Sequence, residues 1–235
     1  MSLPLTKTRP LPPLQNGDLL TRDEFERRYR AMPHVKKAEL IEGVVYMSSP
    51  VSWEFHGGPH IAVATWLGVY TASTPGTDSG DNATVRLDPD NEPQPDAALI
   101  VHPDFGGRVE FDEKGYLSGS PDLLFEVSAS TTSIDMNRKL KVYRRNRVGE
   151  YLVWRTYDDE LDWFVLRNGQ FERMEPDATD GLYKSMTFPG LWLDSEALLR
   201  RDLAAVLAVL ARGLASPEHA EFVAKLASQR TTPGG

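Results

Sequence analysis

Apolar positions recur along this chain with two different periods, and the switches between them mark its elements. After Thr21, Phe25 and Tyr29 fall on one helical face. Thr21 has N-cap chemistry, with Glu24 at the spacing of a capping box, and Pro33 ends the helix. Residues 38–49 (AELIEGVVYMSS) flank Glu42-Gly43 with Ile41, Val44, Val45 and Tyr46, a hairpin pattern with its turn at the glycine. A loop over His56 to Pro59 then leads into a helix from His60 to Thr71. Three strands follow at 83–88, 95–101 and 122–129. The last two are short, nearly continuous apolar runs, as expected of central strands covered on both faces. A glycine-rich stretch, 106–120, separates them.

Downstream, a helix is predicted over 133–146, with Asp135 in its first turn. Strands at 150–157 and 160–174 come next, the second folded back at Asn168-Gly169. A short strand near 184–187 precedes Pro189-Gly190. Residues 195–214 read as one strongly apolar helix and 217–229 as another. Strands and helices therefore mix around one sheet, an α/β or α+β chain. Three segments are expected: an extended, proline-bearing arm over 1–19, a main domain over 20–195, and a helical extension over 196–235 ending in a loose tail. The apolar stripe of 197–210 packs either on its own domain or on a second subunit, as in a homodimer.

Composition narrows the chemistry. The chain has 235 residues and no cysteine, which excludes disulfides, thiolate metal sites and cysteine nucleophiles. No secretory h-region and no apolar run of membrane-spanning length occur, so a soluble, cytoplasmic protein with no membrane partner is expected. The net charge of −8 opposes binding to nucleic acid unless a local basic patch exists. RKLKVYRRNR, residues 138–147, is such a patch. At helical spacing Lys139, Tyr143 and Asn146 share one face, and Arg138, Lys141 and Arg145 share another. One face can reach into a site while the other meets phosphates or simply water.

Two acids stand out by position. Asp96 begins an apolar strand just after Pro95, and Glu126 lies between Phe125 and Val127 inside DLLFEVS. Charges in such runs are costly unless paired or holding a metal, and two together need a cation. Two readings are open on pattern alone. Either the pair shares a divalent ion, or Glu126 faces solvent on an edge strand while Asp96 caps a turn. His56 and His60 read more readily as loop and helix-entry residues than as ligands. No Gly-x-Gly-x-x-Gly, Walker or His-Glu-x-x-His motif is present.

The order of motifs resembles a known family. ELIEG at 39–43, His60, Pro95-Asp96, PDLLFEVSAS at 121–130, Asp135, Lys139, Tyr143, EYLVW at 150–154 and FPGLWL at 188–193 are similar to the Uma-two restriction-endonuclease family, within the PD-(D/E)xK nuclease superfamily. The resemblance covers roughly residues 20–195. It implies a restriction-endonuclease-like core, a mixed sheet flanked by helices. It also implies hydrolysis of phosphodiester bonds in nucleic acid, DNA first, with Mg2+ or Mn2+ as cofactor and Asp96 and Glu126 as metal ligands. The superfamily lysine stands two residues after the glutamate, where this chain has Ser128. The resemblance moves that role to Lys139 on the following helix and adds Glu39 to the catalytic set, with Asp135 and Tyr143 in support. Arg138, Lys141 and Arg145 are the expected nucleic-acid contacts. Two other readings remain beside an active endonuclease: a nuclease-like module that binds without cutting, and an interaction protein using the C-terminal helices.

Overall fold

A computed structural model describes residues 11–230. The first half of the expected N-terminal arm and the expected loose tail lie outside those residues. The described part of the arm runs beside the hairpin, where Leu19 bridges Val44 and Leu14 is buried. Helix α1 (Arg22–Arg30) follows, with the Thr21 hydroxyl accepting from the Glu24 N–H. Strands β1 (Ala38–Ile41) and β2 (Val44–Met47) form the expected hairpin. Glu42 and Gly43 both have positive φ, the type I′ geometry that matches strand twist.

The loop expected at 56–59 is instead helical. A π-helical turn, Trp53–Gly57, opens with Ser52 capping the Phe55 N–H and runs directly into α2 (Gly58–Ser73). An unforeseen strand, β3 (Thr77–Asp81), comes next. The strand expected at 83–88 shrinks to β4 (Val85–Arg86), and β5 (Ala97–Val101) begins one residue after Asp96. The glycine-rich stretch holds two short strands, β6 (Glu110–Phe111) and β7 (Leu117–Ser118), which join β4 in a small separate sheet. Then come β8 (Leu123–Ser128), a π-helical segment Ile134–Lys139, and α3 (Leu140–Arg145). Strands β9 (Glu150–Arg155), β10 (Glu160–Arg167) and β11 (Gln170–Arg173) follow, the last two joined at Asn168-Gly169 as expected.

The main sheet has six strands in the order β11-β10-β9-β8-β5-β3. Only β8 and β9 run parallel, and the helical segment with α3 makes the crossover between them. Period-two alternation splits the sheet's side chains between two layers. Leu99, Leu123, Phe125, Leu152, Trp154 and Trp163 face α2 and the C-terminal helices. Ala98, Leu124, Tyr151 and Val153 face α3 and the hairpin. A fold of this kind is the expected mixed α/β sheet flanked by helices.

After β12 (Tyr183–Lys184) and β13 (Trp192–Leu193), the single helix expected over 195–214 is two. Helix α4 (Ser195–Leu199) ends, Arg201 adopts φ of 60°, and Asp202 caps α5 (Leu203–Leu214) through the Ala205 N–H. Apolar periodicity runs through this break, so the pattern hid it. Ala197, Leu198, Val206 and Leu210 are buried in the same cluster as the sheet. Gly213 lets α5 approach the backbone of Gly190, since a Cβ there would meet the Gly190 carbonyl oxygen at 2.2 Å. Helix α6 (Pro217–Gln229) closes the fold, with Phe222 against Phe188. No helix among the described residues is long and apolar enough to cross a membrane.

Candidate functional site

One end of the sheet collects the charged residues. Helices leave parallel strands at their carboxyl ends, where backbone groups and side chains open toward a ligand. Strands β8 and β9 both end there, and antiparallel β5 begins there. The pairing Ala97↔Phe125, continued by one residue, sets Asp96 across from Glu126. Both then point, with Ala98 and Leu124, toward α3. Each acid is 3% exposed. That burial removes the reading of Glu126 as a solvent-facing edge residue.

Each carboxylate is held by a separate lysine. Lys139 Nζ donates to Glu126 Oε1 at 2.9 Å, and the Tyr143 hydroxyl donates to the same oxygen at 3.0 Å. The π-helical turn carries Lys139 inward, where it also pairs with Glu39 Oε1 at 2.9 Å and Asp135 Oδ1 at 3.5 Å. Glu39 comes from the hairpin and accepts from the Gln94 N–H at 2.8 Å, which ties β1 to the segment entering β5. Asp96 Oδ2 accepts from the Val127 N–H at 2.9 Å, and Asp96 Oδ1 from Lys37 Nζ at 3.0 Å. Lys37 also donates to Asn82.

The two histidines frame Asp96. The His56 Nδ1 lies 3.0 Å from the Val127 carbonyl, which only accepts, so Nδ1 carries the proton. That leaves Nε2 facing Asp96 Oδ1 at 3.6 Å. By the same logic His60 Nε2 donates to the Asp96 backbone carbonyl at 2.7 Å. The sequence pattern ranked both histidines low and gave Lys37 no signal. His60 stood in the family order of motifs without a role, and for Lys37 and His56 the only sign is spatial, because each reaches Asp96 from a distant stretch of chain.

The electrostatics follow from crowding. Among the described residues, Glu39, Asp96, Glu126 and Asp135 pair with two lysines, Lys37 and Lys139, with His56 beside Asp96, so acid is in excess. Burial, helped by Asp135, Asp96 and Glu39, pushes the Glu126 carboxyl up to about 8 although Lys139 pulls it down. Burial also works against the charge on Lys139, but Glu126, Glu39 and Asp135 hold that ammonium well above the ordinary lysine range. At Asp96 the burial cost is outweighed by Lys37, His56 and Lys139, and the carboxyl stays below its usual value.

This donor set suits a hard divalent cation. No three His, Asp or Glu side chains among the described residues form a ready cage. Magnesium does not need one: it keeps several waters and takes one or two carboxylates plus substrate phosphate. Asp96 and Glu126 are the two carboxylates that would hold such an ion, and the surplus acid around them is charge a cation would offset.

The basic stretch divides as its spacing predicts. Lys139 and Tyr143 are buried, while Arg138, Lys141 and Arg145 are exposed. Arg138 lies 3.5 Å from Glu42 and Arg145 3.5 Å from Asp88, so these two are partly neutralised. Asn146 donates to Asp88 as well and does not enter the site. Ser128, at the superfamily lysine position, is buried and donates to the Thr132 hydroxyl. A surface concavity of about 430 Å³ lies elsewhere, beside β10 to β12, and its charges pair with one another, as Lys184 does with Asp177 at 2.8 Å.

Comparison with known proteins agrees with the fold. A solved structure from Anabaena variabilis ATCC 29413, described as "a putative nuclease belonging to DUF820", matches with a TM-score of 0.55. It shares 12% identity and covers 74% of this chain and 97% of its own, a likeness that concerns the fold alone. No curated protein matches the chain. The model of the family described as "Uma2: Putative restriction endonuclease" matches residues 22–196. That match spans more than half of the chain and takes in every carboxylate and lysine of the cluster, and the chain belongs to the Uma2 family.

Proposed function

We propose that this protein is a divalent-metal-dependent endonuclease, with DNA as its substrate and magnesium, or manganese in its place, held by Asp96 and Glu126. The observation that carries this reading is the buried pair of acids facing each other across β5 and β8, with a lysine on each. Bound there, the cation supplies positive charge against a phosphate and lowers the pKa of a water ligand. The chain's own groups do the positioning. The Val127 N–H fixes the Asp96 carboxylate, and Lys139 with Tyr143 fixes that of Glu126. Glu39 and Asp135 hold Lys139 in turn. Lys139 is 4% exposed and walled by acids, whereas the Lys37 side chain is 23% exposed. Lys37 is therefore the ammonium with access to a phosphate oxygen. Arg138, Lys141 and Arg145 offer exposed charge for the flanking backbone. A homodimer is no part of this reading, because the stripe that raised it is buried in its own core.

The test is cleavage of DNA and RNA with added Mg2+ or Mn2+ by the wild type, Asp96→Asn and Glu126→Gln. Cleavage by the wild type that both substitutions and EDTA abolish is the expected result. Equal cleavage by all three chains would sink the proposal. The serine at 128 and the walling-in of Lys139 favour one other reading, a module that binds without cutting. Nucleic-acid binding with no cleavage under any metal would establish it instead.

A further inference from the structure

The turn that sets His56 against Asp96, with the residues just after β9, carries three aromatic rings that lie outside the buried clusters. Trp53 is 86% exposed and Tyr157 60% exposed. By contrast Trp66, Trp154 and Trp163 are fully buried. Phe55, half-buried, packs its ring on that of Tyr157 with centroids 4.7 Å apart. Exposing a tryptophan to water forfeits a large share of the burial energy such a ring can supply.

Trp53 and Phe55 share one π-helical turn with His56, which is bonded to the site through Val127 and faces Asp96. The Thr156 hydroxyl donates to the Phe55 carbonyl at 2.8 Å, and the Thr156 N–H to the Ser128 carbonyl at 3.0 Å. These bonds fasten the rings to the ends of β8 and β9, the sheet end where Glu126 sits. A cation completes the rim. Arg201, held at positive φ in the break between α4 and α5, donates from Nη2 to the Glu54 carbonyl. Flat apolar faces beside an exposed guanidinium match a nucleotide, whose base stacks while its phosphate meets the charge. Inside an intact duplex each base face is already covered by its neighbours, so away from an end only an unpaired base can lie on Trp53.

We propose that Trp53, with the Phe55–Tyr157 pair and Arg201, is a stacking platform for an unpaired base beside Asp96 and Glu126. The preferred substrate is therefore single-stranded or locally opened nucleic acid. This rests on the nuclease reading of the site.

The test uses the full-length Glu126→Gln chain, chosen because the nuclease reading expects it not to cut, and fluorescence anisotropy of three labelled oligodeoxynucleotides of one length in Mg2+: single-stranded, blunt duplex, and single-stranded with abasic positions. Tighter binding of the base-bearing single strand is expected. Trp53→Ala should weaken that binding about tenfold while leaving the abasic strand's affinity unchanged. Trp53→Phe should restore most of the loss. The proposal is overturned if Trp53→Ala weakens both strands equally, or neither. It is also overturned if that change dissociates a dimer in sedimentation without altering oligonucleotide affinity, which would make the ring a protein contact. Either outcome leaves the nuclease reading intact when the wild type cuts. Absence of any oligonucleotide binding would overturn both.

Discussion

Lys139 and Lys37 carry the same charge but stand in different surroundings, and substitution should separate them. Lys139 is shared by Glu126, Glu39 and Asp135. Removing one partner of a buried ionic cluster leaves the others uncompensated, which costs about 3–5 kcal/mol. Lys139→Met is expected to lose that much in urea unfolding at neutral pH without added metal. Lys37 is partly wetted, and Asp96 keeps the Val127 N–H when it goes. Lys37→Met should cost less than Lys139→Met, about 1–3 kcal/mol, while lowering cleavage sharply. Similar destabilisation by the two substitutions would show that Lys37 too is structural. Asp96 and Glu126 were legible as single residues, because an acid inside an apolar run is an anomaly in one dimension. Lys37 and His56 were not, since nothing in a polar stretch marks a residue that meets Asp96 only after folding.

At the scale of elements, the hairpin does as much for the site as the central strands. It delivers Lys37 and Glu39, and its register against the segment before β5 is set by paired backbone bonds between Leu40 and Glu92. The side chain of Glu92 is buried near Glu26 of α1 and Arg86 of β4. Burial first, then Glu26, raises its carboxyl to about 8, against the pull of Arg86 and Arg22. A carboxyl raised in the folded state favours its neutral form there. Its stabilising share is therefore full below the ordinary value of 4.5 and is lost as pH rises toward about 8. Melting temperatures between pH 5 and 8.5 should fall less steeply for Glu92→Gln than for the wild type, with the remaining slope owed to the other buried carboxyls that burial raises, Glu126 and Glu150. An unchanged slope would mean that Glu92 is already ionised at pH 5. Both I′ hairpins were readable from their turn residues. Strand β3 (TDSGD) was not: only Thr77 is buried, and its partner β5 supplies the pairing that its composition lacks.

For the molecule as a whole, the C-terminal helices belong to the same core as the sheet. Leu210 is fully buried among the residues that cover β8 and β9. Leu210→Ala should cost about 2–5 kcal/mol through lost contacts and the cavity left behind. That loss should not vary with protein concentration, which unfolding at two dilutions would check. A concentration-dependent midpoint would place the stripe at a subunit contact instead. The sequence alone determined the mixed α/β class, the central strands, the hairpin turns and the two suspicious acids, because apolar period, turn chemistry and misplaced charge are all local signals. Only the tertiary structure decided that β5 and β8 are neighbours in a register that sets Asp96 opposite Glu126. It also decided that the helix after residue 195 breaks at Arg201 and that the apolar stripe turns inward. Each of these depends on which surfaces meet, and burial energy settles that over the whole chain at once rather than within any one stretch of it.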